Sequence, residues 1–155
     1  MTLSAELFKD FFRHHGSGVS LITTFDLERN PYGFTASSLA SLSAEPALAT
    51  VNLASSSSTA QVLEVGLPVA IHTLGFQQRE LAAELAGPKS ERFSSSGWDL
   101  SGSAPVHKDA PGVLLGKVHQ IHPVAESVIV VIEGDSAKLR DFPERPLVYF
   151  NRQYL

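Results

Sequence analysis

The chain has 155 residues, of which 43% are hydrophobic and 18% charged, with a net charge of −4 and no cysteine. This length predicts a single domain over residues 1–155. Scattered Lys and Arg residues with a negative total exclude a nucleic-acid-binding surface, and the lack of cysteine excludes disulfides and thiolate-ligated metals.

The first segment, MTLSAELFKDFFRHH, is predicted to be a helix and not a signal peptide. Ser4 is a candidate N-cap, and one apolar stripe contains Leu7, Phe8, Phe11 and Phe12. Charged residues interrupt the apolar positions, and no window of the chain is long enough to span a membrane. We therefore expect a cytoplasmic protein without membrane contacts.

Runs of branched residues bounded by turn signals predict the strands. They cover Val19–Phe25, Tyr32–Leu39, Ala47–Leu53, Pro68–Leu74, Val113–Val124, Ser127–Glu133 and Pro146–Phe150. Two helices are predicted between them, Thr59–Val65 ending at Gly66 and Phe76–Ala86 ending at Gly87. Residues 87–111 form a long loop, which in a compact domain is usually functional.

These strands are not separated by alternating helices, so the order predicts a mainly β, antiparallel barrel with a few short peripheral helices. The stretch SVIVVIEG, 127–134, is apolar on both faces. A barrel standing alone would expose one of these faces, and the charged fraction is low. We therefore expect a second copy of the chain as partner, giving a homodimer.

Several common motifs are missing or misleading. The dinucleotide pattern G-x-G-x-x-G and the hydrolase pattern G-x-S-x-G are absent, and GVLLGK at 112–117 is interpreted as strand. His119 and His122 are three residues apart on a predicted strand, so their side chains point to opposite faces. We predict no metal site.

The stretch NLASSSST, 52–59, places a serine run between two apolar segments. Ser57, Ser58 and Thr59 would put hydroxyl donors beside the amides that begin the helix predicted from Thr59, which is a favourable place for a phosphate. An N-cap with additional serines explains the same pattern, and both interpretations stay open at this point.

A second polar stretch, YGFTASSLASLS, lies about twenty residues earlier, at 32–43. It places Thr35, Ser37 and Ser38 on a predicted strand, where small residues would let a flat ligand approach the backbone. An edge strand with a solvated face is the alternative.

Together these stretches resemble a known family. The resemblance runs from about Phe12 to Tyr154 and is carried by GVSLITTF, NPYGFTASSLASLSAEPALATVNLASSSST, VLEVGLPVAIHTL, QQRELAAELAG, ERF and PLVYF. In this order and spacing the chain resembles the flavin reductase-like, FMN-binding split-barrel family.

The resemblance implies a homodimeric split β-barrel that binds FMN or FAD at the dimer interface. The isoalloxazine ring would be lined by Thr35, Ala36, Ser37 and Ser38 and bordered on its pyrimidine side by Asn52, Leu53 and Ala54. Ser57 and Thr59 would hold the flavin phosphate, with Arg92 near the phosphate or a second nucleotide.

One family element is missing. Many nicotinamide-dependent members carry Gly-Asp-His at the start of the penultimate long strand, with the histidine beside the nicotinamide. Here the element falls on Ala125, Glu126 and Ser127, so Ser127 is the nicotinamide-side position and lacks an imidazole. Near the C-terminus, Arg152 and Gln153 precede the last tyrosine, where the family usually has glycines.

The leading functional interpretation is an NAD(P)H:flavin oxidoreductase that supplies reduced flavin to a monooxygenase partner. The flavin performs the hydride chemistry, so no side-chain acid is required. The alternatives are a flavoprotein that uses another reductant and a non-enzymatic flavin-binding or structural barrel, because a fold does not settle a function.

Overall fold

The structure, a computed structural model, describes residues 1–155. Its α-helices are α1 (Ala5–Arg13) and α2 (Arg79–Ala86), and a 3-10 turn at Phe76–Gln78 leads into α2. The longer strands are β2 (Ser20–Phe25), β3 (Pro31–Ala36), β4 (Ala40–Ala44), β5 (Ala47–Ala54), β6 (Pro68–Thr73), β9 (Gly112–Val124) and β10 (Ser127–Leu139). The short strands are β1 (Ser17–Gly18), β7 (Trp98–Asp99), β8 (Val106–His107), β11 (Val148–Phe150) and β12 (Gln153–Tyr154).

The main sheet contains seven strands in the order β3-β2-β6-β9-β10-β5-β4, and every pair is antiparallel. Six of these strands contribute to one buried cluster, made of Ile22, Ala36, Val51, Leu53, Val69, Ile71, Val118, Val130 and Ile132. A flat sheet cannot bring residues from so many strands together, so the sheet curves around this core. The predicted antiparallel barrel is confirmed, and it is open between β3 and β4.

A second cluster lies outside the barrel, where α2 covers one face of β2. Leu81, Ala82 and Leu85 of α2 pack there with Leu21 and Leu147. The predicted helix over 76–86 is confirmed as a 3-10 turn followed by α2. The predicted long loop, 87–111, contains a short 3-10 turn and the β7–β8 ribbon.

The predicted helix Thr59–Val65 is wrong, because residues 55–62 form successive turns. One helix-like bond, from Gln61 N to Ser57 O, is present before the chain turns inward. Leu63 packs against the barrel core and the Gly66 amide donates to Val118 O of β9. Tertiary contacts therefore override a weak local preference, as expected for so short a helix.

The predicted strand Tyr32–Leu39 is too long, and β4 was not predicted. β3 ends at Ala36, and the next residues cross from β3 to the strand pair formed by β4 and β5. Ser38 stabilises this crossing, because its Oγ accepts from Asn52 N at 2.9 Å and donates to Asn52 O at 3.1 Å.

The expectation for SVIVVIEG also needs correction. Val130, Val131 and Ile132 are buried within one protomer and Val128 and Ile129 are half-buried, so one protomer already covers most of both apolar faces. A cluster of exposed apolar residues lies instead on α1, which has no buried residue. Leu3 (just before α1) and α1 residues Leu7, Phe8, Phe11 and Phe12 are 50–68% exposed.

Two further observations concern single segments. GVLLGK lies in β9 as predicted, and His119 Nδ1 is 3.3 Å from Glu133 Oε2 on the neighbouring strand. Neither α-helix has the length and apolar character that crossing a bilayer would require.

Candidate functional site

The serine run lies beside β3, although the two segments are far apart in the sequence. Thr59 Oγ1 donates to Gly33 O at 3.2 Å, and Arg92 Nη1 donates to the same carbonyl at 3.0 Å. The backbone of β3 therefore holds the turn segment and the ERF element together.

Arg92 and two serines form a polar corner at this position. Arg92 Nη1 lies 3.4 Å from Ser58 Oγ, and Arg92 Nε donates to Gly87 O at 2.9 Å. Ser57 Oγ accepts from Ala60 N at 3.1 Å, which leaves its own proton free to donate. Ser57 is thus both a cap and an available donor. No helix follows it, so an anion at this corner would be held by Arg92 and hydroxyls and would gain nothing from a helix dipole.

Thr59 differs from the two serines. Its side chain is 1% exposed, and its hydroxyl donates to Gly33 O. As a free hydroxyl donor to phosphate, the predicted role of Thr59 does not fit this geometry. Its side chain fastens the serine run to β3.

The T-A-S-S element would offer a ligand mainly backbone groups and few side-chain groups. Thr35 Oγ1 donates to Ala82 O of α2 at 2.5 Å, and the Ala36 side chain is in the barrel core. The hydroxyl contact to a ring predicted for Thr35 is therefore not available. Ser37 is exposed, and Ser38 bonds to Asn52. A flat ligand would meet a backbone surface with one free hydroxyl, that of Ser37.

The side chains of residues 52–54 point alternately away from the core and into it, as in any β-strand. Leu53 is in the core, while Asn52 and Ala54 face outward and are exposed. Leu53 can border a ligand only through its backbone. The Ser38–Asn52 hydrogen bonds join this strand end to the T-A-S-S element, so the two predicted ring-binding segments are neighbours.

Ser127 lies at the same end of the sheet as Ala54. It begins β10 and pairs with Ala54 of β5 and Val124 of β9. The two-residue turn before it consists of Ala125, with a φ of 50°, and Glu126. A positive φ at the first position of such a turn favours glycine. The family's glycine falls on Ala125, so this geometry agrees with the register that places the missing histidine at Ser127.

Sequence reasoning missed two residues of this region. A Cβ on Gly33 would lie 2.9 Å from Ile22 O and 3.0 Å from Phe93 Cζ, so only glycine allows this close approach. A glycine inside a strand pattern is the usual signal for such an approach, and PYGFTA contains it. The second is Ser55, whose contact with Glu126 no local pattern indicates.

Comparison with known proteins gives the same family as the motifs. The model of the flavin reductase-like domain matches residues 12–155. The chain belongs to this family. The crystal structure of a flavin reductase domain protein from Arthrobacter sp. FB24 superposes with a TM-score of 0.90 at 35% identity, over 98% of this chain and 94% of that one.

Two relatives of this flavin reductase-like domain have named activities. An NADH:FMN oxidoreductase of Rhodococcus qingshengii is 36% identical over 121 residues, which are 77% of this chain and 62% of that protein. The reductase component of a flavin-dependent trigonelline monooxygenase of Acinetobacter baylyi is 34% identical over 93 residues, 60% of this chain and 30% of that protein. The chain thus spans less than two thirds of the length of either.

The residues of the flavin reductase-like domain fit a flavin mononucleotide. Arg92 with Ser57 and Ser58 provides one cation and two hydroxyls for a phosphate. Exposed backbone at Ser37 and Asn52–Ala54 provides a surface on which a ring can lie without a side chain between. Both parts adjoin β3, the first through Gly33 O and the second through the T-A-S-S element at the end of the strand.

Proposed function

We propose that this flavin reductase-like domain binds FMN and reduces it with NADH or NADPH. The observation that carries the proposal is the polar corner of Arg92, Ser57 and Ser58 at the opening of the barrel. Phosphate is the anion that such a corner suits. The NADH:FMN activity of the Rhodococcus relative supports FMN as the flavin, and FAD remains the alternative ligand.

The protein's part in this reaction is binding and orientation. Arg92, Ser57 and Ser58 hold the phosphate, and the Ser38–Asn52 hydrogen bonds keep the two ring-facing segments together. When bound, the flavin supplies the hydride acceptor. We place the nicotinamide beside Ser127, which pairs with Ala54 at the edge of the ring-facing surface. Serine offers a small hydroxyl and no charge there, so the nicotinamide should be captured weakly.

We further propose that the chain forms a homodimer through α1 and that it donates reduced flavin to a monooxygenase component. The apolar stripe of α1 exposes on the order of 600 Å², close to the roughly 800 Å² per partner of a standard interface. A nine-residue helix is marginal in water without a partner surface. The Acinetobacter relative supports the monooxygenase partner, and the cytoplasmic location stays a prediction.

The activity is tested with purified protein. FMN is titrated, free flavin is removed, and NADH or NADPH is added without oxygen while the visible spectrum is recorded. Bleaching at a rate well above that of free FMN is expected. A yellow protein that stays yellow favours the flavoprotein with another reductant, for which the lack of an imidazole at Ser127 is the supporting observation. Absence of any flavin binding favours a purely structural barrel.

A further inference from the structure

We propose that Ser55 is a positioning residue that holds the β9–β10 turn in place for nicotinamide binding. Ser55 donates twice to the same carbonyl, from its amide at 3.0 Å and from Oγ at 2.9 Å, with Glu126 O as acceptor. Glu126 directly precedes Ser127. The inference rests on the proposed function, because it is the nicotinamide that would use this turn.

The turn needs such support. Ala125 and Glu126 are exposed, and Ala125 adopts a positive φ that costs free energy for any residue with a Cβ. Among side chains, the Ser55 hydroxyl is the only one that hydrogen-bonds to the segment 125–127. Without it, this segment would be held by backbone pairing alone.

The position of Ser55 joins two parts of the site. It immediately follows Ala54, the β5 residue that pairs with Ser127, and it is the first residue of the serine run that leads to Ser57 and Ser58. One side chain therefore ties the start of the phosphate-binding segment to the turn on the nicotinamide side. The contact with Glu126 O, and not phosphate binding, explains why a serine occupies position 55.

The adjacent Ser56 provides a matched control. It is also an exposed serine in the same turn, but it makes no side-chain hydrogen bond. Ser55→Ala removes the hydroxyl bond, Ser55→Thr retains a hydroxyl, and Ser56→Ala removes a serine without a contact. For each variant the affinity for FMN, the KM and kcat for NADH and NADPH, and the amide hydrogen exchange of residues 124–128 are measured.

We expect Ser55→Ala to raise the KM for the nicotinamide about 3- to 10-fold, the change that one ordinary hydrogen bond produces. Affinity for FMN and kcat should stay within about twofold, and exchange at 124–128 should accelerate. Ser55→Thr and Ser56→Ala should match the wild type in each measurement.

Three results would overturn the inference. They are an unchanged KM in Ser55→Ala, a loss of FMN affinity equal to the rise in KM, and the same effects in Ser56→Ala. A wild type that binds FMN but does not oxidise NADH or NADPH would remove the proposed reaction and the nicotinamide role of the turn with it. Hydrogen exchange needs no substrate, so it would still decide whether Ser55 holds the turn.

Discussion

Among single residues, Gly33 organises the proposed phosphate end of the site through its carbonyl. Thr59 and Arg92 both donate to this atom, and contact with Ile22 O closes the position to any side chain. β3 pairs with β2 and contributes Ala36 to the core, so its backbone provides a fixed attachment for the turn segment. A strand therefore positions the side chains that we propose bind the ligand.

Arg92→Gln should weaken FMN binding by at least tenfold, because it removes the only cation hydrogen-bonded to the serine run and a charge-assisted bond contributes about 1.5–3 kcal/mol. Riboflavin, which lacks the phosphate, is the control ligand, and its affinity should change by less than twofold. Fluorescence titration measures both. Equal losses for the two ligands would show that Arg92 acts by shaping the ring surface.

Ser127→His should raise kcat/KM for NADH or NADPH roughly tenfold, about 1.4 kcal/mol of added stabilisation, because an imidazole can pack on a nicotinamide and serine cannot. The position is half-buried at the start of β10, so the larger side chain can extend outward. Ser127→Asn is the control, with a longer polar side chain but no ring. Steady-state kinetics should show no gain for Asn. A wild type as efficient as Ser127→His would mean that another group orients the nicotinamide.

Among the elements, the β9–β10 hairpin shows how a turn is strained by its sequence. β9 and β10 each contain thirteen residues and form the longest pairing in the sheet, yet the turn between them places an alanine at positive φ. Glycine has no Cβ and adopts this conformation without strain.

Ala125→Gly should stabilise the protein by up to about 1 kcal/mol, since the relief of the positive φ exceeds the entropic cost of glycine. The midpoint temperature of thermal unfolding should then rise by about 2–4 °C. Ala47→Gly, an exposed strand position that is not at positive φ, is the control and should lower the stability. If both variants changed the stability in the same direction, the result would contradict the assigned turn geometry.

Strand β6 contains a histidine that makes stability depend on pH. His72 is fully buried, its Nδ1 lies 3.3 Å from Leu21 O and its Nε2 accepts from His107 N at 3.2 Å. Burial, with a smaller effect from the nearby His107, lowers the pKa of His72 from 6.5 to about 4. The neutral ring is therefore part of the folded state.

The sign of the pH effect follows from this pKa. The unfolded chain binds a proton at His72 near pH 6.5 and the folded chain only near pH 4. We therefore expect the contribution of His72 to stability to be fully present above pH 6.5 and to fall by about 3 kcal/mol as the pH decreases to 4. His72→Gln should flatten this dependence in urea unfolding between pH 7.5 and 4.5. His122→Gln, at an exposed site, should leave it unchanged. If His72→Gln showed the same dependence of stability on pH as the wild type, His72 would be excluded as the cause of that dependence.

For the whole molecule, the central question is what covers α1. The barrel core covers the apolar residues at the centre of β10, whereas the apolar stripe of α1 is exposed along its whole length. An apolar patch of this size usually marks an interface.

Phe11→Asp should convert the proposed dimer into a monomer, because Phe11 is the most exposed ring of the stripe and a charge there cannot be buried unpaired. Light scattering at micromolar concentration measures the mass. Phe142→Asp is the control, since Phe142 is also exposed but lies in the loop after β10. A wild type of monomeric mass would contradict the dimer, and a dimeric Phe11→Asp would place the interface elsewhere.

Most of the elements could be predicted from the sequence because their signals are local. Runs of branched residues bounded by turn signals predicted β2, β5, β6 and β9, and the glycine and proline at Gly87-Pro88 predicted the end of α2. The order of motifs alone indicated the family, which the comparison then confirmed. The sequence also brought the serine run, the T-A-S-S element and Arg92 into one hypothesis, and the structure places these three segments side by side.

What the tertiary structure decided is the direction of each polar group. Thr35 turns its hydroxyl to α2, Thr59 turns its hydroxyl to β3, and residues 59–65 give up a helix for contacts with the barrel. Ser55 and Ser56 look alike in the sequence, yet only one meets a carbonyl. Each outcome depends on a partner more than twenty residues away along the chain. Such pairings arise only when the sheet closes around its core, so no local pattern can reveal them.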